Sequence, residues 1–303
     1  MRIPTAVILA ACLLSSPALA QPVEAGDRPM FEVVPTLKPG QFVWAPEAAP
    51  DGPVLMVVNL ATQRALLFRN GVPIGASTIS SGKPGHETPT GVFTVLEKKR
   101  EHYSKTYNNA PMPNMQRLTW KGIALHAGNL PGYPASHGCI RLPMQFSSLL
   151  FGATRLGMTV IITSLPVEPR QSAAPDIAAP IAATTTTLAR AAYEWHPERA
   201  TQGPVSVIVS AADQRAIVLR NGTEIGSAPV RVAGSANGGW AYALRSWDDS
   251  GEHWLKLQFA GSGQGMDVGA GEGARFDTPW DFKHAVQTVL RPGSIIVVTP
   301  LSL

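Results

Sequence analysis

The sequence predicts a mainly β protein whose folding unit occurs twice in tandem. Three observations carry this. Glycine and proline number 28 and 27 of 303 residues, above the usual ~12% and more suited to turns and short strands than to long helices. Apolar residues come in short runs closed by turn dipeptides. One such pattern returns at a fixed distance along the chain, and repeats govern how everything else is read.

The elements follow in order. Residues 1–20 are read as a signal peptide: Met1-Arg2 is basic, Ala6 to Leu14 is apolar, and Ala18-Leu19-Ala20 is a small-x-small cleavage site. An exported protein is therefore expected. Leu9-Ala10-Ala11-Cys12 also resembles a lipoprotein cleavage box, a rival reading that anchors the chain through Cys12. The apolar run falls short of the ~20 residues needed to span a bilayer. Residues 21–50 are Pro-rich, with a short strand at Gln41-Phe42-Val43-Trp44.

From residue 51 the pattern becomes dense. Val54 to Val58 is a near-continuous apolar run, as in a buried strand. Arg64 to Arg69 follows, closed by Asn70-Gly71, which suits a hairpin because both positions tolerate positive φ. Gly75–Ser80, Gly91–Leu96 and Gly122–His126 read as further strands. Phe146, Leu149, Leu150 and Ala153 have helical spacing, Gly157 stops that helix, and Thr159–Thr163 is a last strand. Residues 51–165 thus form one domain. Residues 166–200, rich in Ala, Pro and Thr, read as a linker.

Residues 201–303 repeat that domain. Gly52-Pro53-Val54, Gln63-Arg64-Ala65 and Arg69-Asn70-Gly71 recur as Gly203-Pro204-Val205, Gln214-Arg215-Ala216 and Arg220-Asn221-Gly222, at a constant offset of 151. Pro143, Phe146 and Gly157 to Ile161 recur as Pro279, Phe282 and Gly293 to Val297, at offset 136.

Net charge is +4, from 25 basic and 21 acidic residues. Without a basic stripe, nucleic-acid binding is set aside. Of the two cysteines, Cys12 leaves with the signal, so Cys139 is the one mature thiol and cannot form an internal disulfide. It sits in Ser136-His137-Gly138-Cys139-Ile140-Arg141, thirteen residues after His126. A thiol needs an activating base to attack an acyl group. It also needs amide donors for the oxyanion. The segment offers both, plus a glycine for a sharp turn. A buried, inert cysteine and a zinc site of His126, His137 and Cys139 are the competing readings; no H-E-x-x-H or C-x-x-C pattern accompanies the latter.

That constellation resembles the signature of the L,D-transpeptidase family (YkuD catalytic domain), and Thr88-Pro89-Thr90-Gly91 is similar to it too. The resemblance covers about residues 52–165. It implies a β-rich sandwich with one helix after the catalytic loop, acting on peptidoglycan stem peptides in the periplasm or cell wall without metal or cofactor. It implies Cys139 as nucleophile, held ionised by His126 as general base and acid. The Ala127 carbonyl would orient the His126 ring. The amides of His137, Gly138 and Cys139 would form the oxyanion hole, with Ser136 shaping the loop. Arg141 would secure the loop or contact substrate. Residues 102–115 read either as a lid, with Tyr103, Met112 and Met115 against the substrate, or as a surface excursion packed by its own Met and Tyr side chains. Carbapenem-type inhibitors are expected to acylate Cys139. The alternatives are a carboxypeptidase or endopeptidase on the same scaffold, attachment of a protein to peptidoglycan, and a non-catalytic wall-binding module. At offset 136 the motif falls on Glu272-Gly273-Ala274-Arg275-Phe276-Asp277, so the second copy is expected to be degenerate. Trp240, Trp247 and Trp254 read as buried core rather than a sugar site.

Overall fold

The computed structural model describes residues 22–24, 29–165, 170–172, 175, 177, 188, 191–232, 239–249, 251–260 and 276–300. The expected signal peptide with Cys12, most of the expected linker, and Glu272 to Arg275 lie outside the described residues. A short helix α1 (Met30–Val33) precedes strands β1 (Phe42–Trp44), β2 (Val54–Asn59), β3 (Arg64–Arg69), β4 (Val72–Thr78) and β5 (Gly91–Thr94). Next come β6 (Glu97–Lys99), β7 (Met115–Arg117), β8 (Ala124–Ala127), β9 (Ile140–Leu142), α2 (Met144–Ala153) and β10 (Thr159–Thr163).

These strands make two sheets, ordered β1-β4-β3-β2-β10-β5 and β6-β7-β8-β9. Alternation sorts their side chains, since neighbours along a strand point to opposite faces. Met56, Val58, Ala65, Leu67, Ile74, Val160 and Ile162 face inward. They meet Leu125, Ile140 and Leu142 of the smaller sheet, with Phe146 and Leu150 of α2. The core therefore lies between the sheets, and it fixes the smaller one. The Asn-Gly turn adopts the conformation its residues allow, with φ of 48° at Asn70 and 68° at Gly71.

The second half comprises β11 (Arg170–Ser172), β12 (Glu194–Trp195), β13 (Val205–Ser210), β14 (Arg215–Arg220), β15 (Thr223–Pro229), β16 (Arg231–Val232), β17 (Gly239–Asp248), β18 (Gly251–Ala260), β19 (Phe276–Asp277), α3 (Trp280–Val289) and β20 (Ile295–Thr299). Its large sheet runs β11-β18-β17-β20-β13-β14-β15-β12. The registers match the first half at the two sequence offsets. Leu55 pairs in parallel with Thr159, and Ser206 with Ile295. The irregularity after Leu67 in β3 recurs after Val218 in β14. Trp44 opposite Gly75 recurs as Trp195 opposite Gly226. Trp44 stands edge-on to Phe146 at 84°, and Trp195 to Phe282 at 87°.

The correspondence therefore begins in the stretch expected to be linker: Glu194–Trp195 joins the sheet, and Arg170–Ser172 pairs with β18. A two-residue strand is too short to show a period in sequence. The halves differ in the middle, where the long β17–β18 hairpin stands in place of the smaller sheet. Trp254 is buried there and Trp240 packs on the same core, whereas Trp247 is exposed.

Candidate active site

The smaller sheet brings His126 and Cys139 together. Strands β8 and β9 run parallel, with Leu125 opposite Ile140 and His126 opposite Arg141. Leu125 and Ile140 face the core. Alternation then puts Ala124, His126, Cys139 and Arg141 on the other face. Cys139 stands one step before β9, packed with Met112, Met115 and Ala124. Its Sγ lies 3.4 Å from the Gly122 carbonyl oxygen.

His126 is 7% exposed, and its Nδ1 lies 2.8 Å from the Ala127 carbonyl oxygen. A carbonyl only accepts, so Nδ1 carries the proton and Nε2 keeps its lone pair. Burial holds the imidazole down to about 4, against an upward pull from the Ala127 hydrogen bond and with a further downward push from the Arg141 charge. Burial also pushes the Cys139 thiol up, outweighing the contact from Ala124 and the Arg141 charge. The resting pair is thus neutral thiol and neutral imidazole. Desolvation disfavours both charges and exceeds the nearby positive field, which runs against the expected ionised sulfur.

A polar splint supports the catalytic loop. Ser136 Oγ donates to the Cys139 carbonyl at 2.5 Å and accepts from the Gly138 amide at 3.1 Å. The Gly138 N–H is thereby occupied, at odds with its expected part in a three-amide oxyanion hole. Gly138 itself has φ 106°, where only glycine sits without strain. Thr88 Oγ1 donates to the Gly138 carbonyl at 2.8 Å and accepts from the Gly82 amide at 2.9 Å. The Ser81 carbonyl accepts from the Ala135 and Ser136 amides. Buried Gln63, with φ 53°, binds both the amide and the hydroxyl of Ser81. Gln63, Ser81 and Thr88 were not expected at the site. Their only sequence signal was the Thr-Pro-Thr-Gly turn.

The expected lid residues separate. Met115 is fully buried and Met112 is 8% exposed. They pack behind Cys139, so their assignment to substrate contact is corrected to packing. Tyr103 is exposed, in an isolated bridge to Pro111. Tyr107 reaches the catalytic loop, its ring 4.6 Å from that of His137, which in turn meets His86 at 4.7 Å. Among the described residues no group of three or more His, Cys, Asp or Glu is arranged to hold a metal, and no helix is long and apolar enough to cross a membrane.

Comparison with known proteins bears on this geometry. Residues 53–162 match a family described as the L,D-transpeptidase catalytic domain, YkuD. The matched stretch includes both His126 and Cys139. No curated protein matches the chain. Among solved structures, an L,D-transpeptidase from Stackebrandtia nassauensis is 26% identical with TM-score 0.35, over 39% of this chain and 58% of that one. One from Mycobacterium tuberculosis H37Rv is 24% identical with TM-score 0.35, over 37% and 57%. An LD transpeptidase in complex with imipenem is 23% identical with TM-score 0.35, over 36% and 58%. The chain spans less than two thirds of each. In the second half, Asp277 stands opposite Arg231, at the offsets that place Arg141 opposite Ser80.

Proposed function

We propose that the chain is an exported peptidoglycan L,D-transpeptidase working through a thioester on Cys139. The observation that carries this is the fixed tautomer of His126, with a free Nε2 lone pair on the strand beside the thiol. His126 Nε2 takes the thiol proton as Sγ attacks the carbonyl of an L-residue in a stem peptide. The oxyanion meets the His137 and Cys139 amides. Collapse breaks the C–N bond, and His126 returns the proton to the departing amine of the terminal D-residue. A side-chain amine of a second stem then attacks the thioester, giving its proton through His126 to the sulfur. Each cycle forms one amide and breaks one, so no external reductant or energy source is needed.

Residues 191–300 are, on this reading, a degenerate second copy that braces the first. The matching strand registers support it. The test is mass spectrometry of muropeptides after incubation with mature protein. Cross-linked dimers that vanish with Cys139→Ala are expected. Dimers that persist in Cys139→Ala would refute the assignment.

A further inference from the structure

We propose that Arg141 is the carboxylate receptor of the acyl donor, its guanidinium binding the free carboxylate of the terminal residue that Cys139 expels. This rests on the transpeptidase reading. The other cations of the smaller sheet are committed. Lys98 donates to the Phe151 and Thr154 carbonyls. Lys99 and Arg117 share Glu97. Arg100 stacks on Phe151 and reaches Asn114. The guanidinium of Arg141 has no such partner among the described residues, although its backbone pairs with Ser80 in both directions. A half-buried guanidinium cannot shed its proton, so it needs an anion or water.

Its placement fits a substrate anion. Arg141 stands opposite His126 in register, and facing side chains on paired strands share a face. Its stem lies across Gly128, where an added Cβ would come within 3.0 Å of Cγ and Cδ. Glycine there leaves the stem its channel, and the backbone needs no positive φ. The guanidinium's charge is felt by His126, His137 and Cys139 alike. In a stem peptide the leaving nitrogen and the terminal carboxylate are separated only by Cα. A nitrogen within reach of His126 therefore carries its carboxylate to the neighbouring side chain, and a planar fork matches a carboxylate with two parallel hydrogen bonds. Among the described residues the loop-fastening role finds no hydrogen-bond or ion-pair partner for the guanidinium.

The experiment compares three donors in the full mature chain: a tetrapeptide stem with a free C-terminus, its C-terminal amide, and a stem amidated only at the diamino-acid side-chain carboxylate. The wild type should prefer the free terminus over the terminal amide by ~10- to 100-fold in kcat/KM, the range for a charge-assisted hydrogen bond. Side-chain amidation should cost little. Arg141→Gln should bring that preference to about one, Arg141→Lys should restore part of it, and Gly128→Ala should reduce it with the charge intact. A preference that survives Arg141→Gln, or a wild type that treats free and amidated termini alike, overturns the receptor while leaving transpeptidation standing. A wild type that turns over none of the donors overturns both.

Discussion

The neutral resting pair makes a sharp prediction about the reactivity of Cys139. Moving the proton from Sγ to Nε2 in the free enzyme means ionising a thiol held above its ordinary 9.0 to charge an imidazole held at about 4. Both displacements disfavour the ion pair in the free enzyme. With burial raising the thiol, the thiolate stays the minor form at neutral pH. Alkylation by iodoacetamide, which reads thiolate alone, should rise about tenfold per pH unit through neutrality and bend only above pH 9. His126→Gln should leave that profile nearly unchanged. Acylation by a stem-peptide donor should fall ~10²- to 10⁴-fold in the same variant, because there the imidazole acts as base during the reaction. The assay is mass spectrometry of Cys139 labelling across pH, beside donor turnover. A labelling plateau already reached below pH 7, abolished by His126→Gln, would refute the reasoning and restore the ion pair.

Stability should carry the same signature. The unfolded His126 protonates near 6.5 and the folded one at about 4, so the unfolded chain binds the extra proton between those values. Stability is full above pH 6.5 and falls by about 3 kcal/mol as pH drops to 4; urea midpoints across pH should show this slope, and His126→Gln should flatten it. Gly138→Ala should lower turnover ~100-fold and cost about 1–3 kcal/mol, because it forces a side chain into positive φ. Its Cβ would also stand 2.9 Å from Ile123 Cδ1. Normal turnover in that variant would count against the loop geometry. Gln63→Ala should cost about 1–3 kcal/mol by stranding the buried Ser81 amide. It should lower kcat more than it raises KM, and an unchanged kcat would remove Gln63 from the positioning network. A chain ended after residue 165 should bind a hydrophobic dye and melt without a sharp transition; a cooperative melt would show that the first unit stands alone.

Much of this architecture was written locally. The Asn-Gly hairpins and the helix stopped by Gly157 are visible because each depends on residues close in sequence, and Asn221 and Gly222 reproduce the positive φ of Asn70 and Gly71. The Cys139–His126 pair was visible as residue types, but its protonation state was not, because burial is set by the whole fold. Strands β6, β7 and β9 have three residues each, too few to show a period. Gln63 and Thr88 were missed for a different reason. They contact segments 18 and 50 residues away, and such buried polar pairings leave no local pattern. Gly128 is equally silent, since its meaning comes only from the Arg141 stem above it.

The apolar run Val54 to Val58 finds its explanation in the second half of the chain. A strand at a half-wet surface alternates, yet Leu55, Met56, Val57 and Val58 are all buried. Met56 and Val58 face the catalytic core, while Leu55 and Val57 face outward with Leu66, Phe68 and Ile161. That outer face is covered by Val33, Val34 and Leu37 near α1 and by Ala241, Ala243, Leu257, Ile295 and Val297 of the second sheet. Parallel pairs buried on both faces read as continuous apolar runs, and β2 with β10 is such a pair. Five large side chains at about 1.5–3 kcal/mol each amount to about 7–15 kcal/mol of gross burial. That is comparable to the whole net stability of an ordinary domain, about 5–15 kcal/mol. Among the described residues the second half keeps only the short β16–β19 pair where the first half has its smaller sheet, yet it supplies the apolar face that covers Leu55, Val57, Leu66, Phe68 and Ile161.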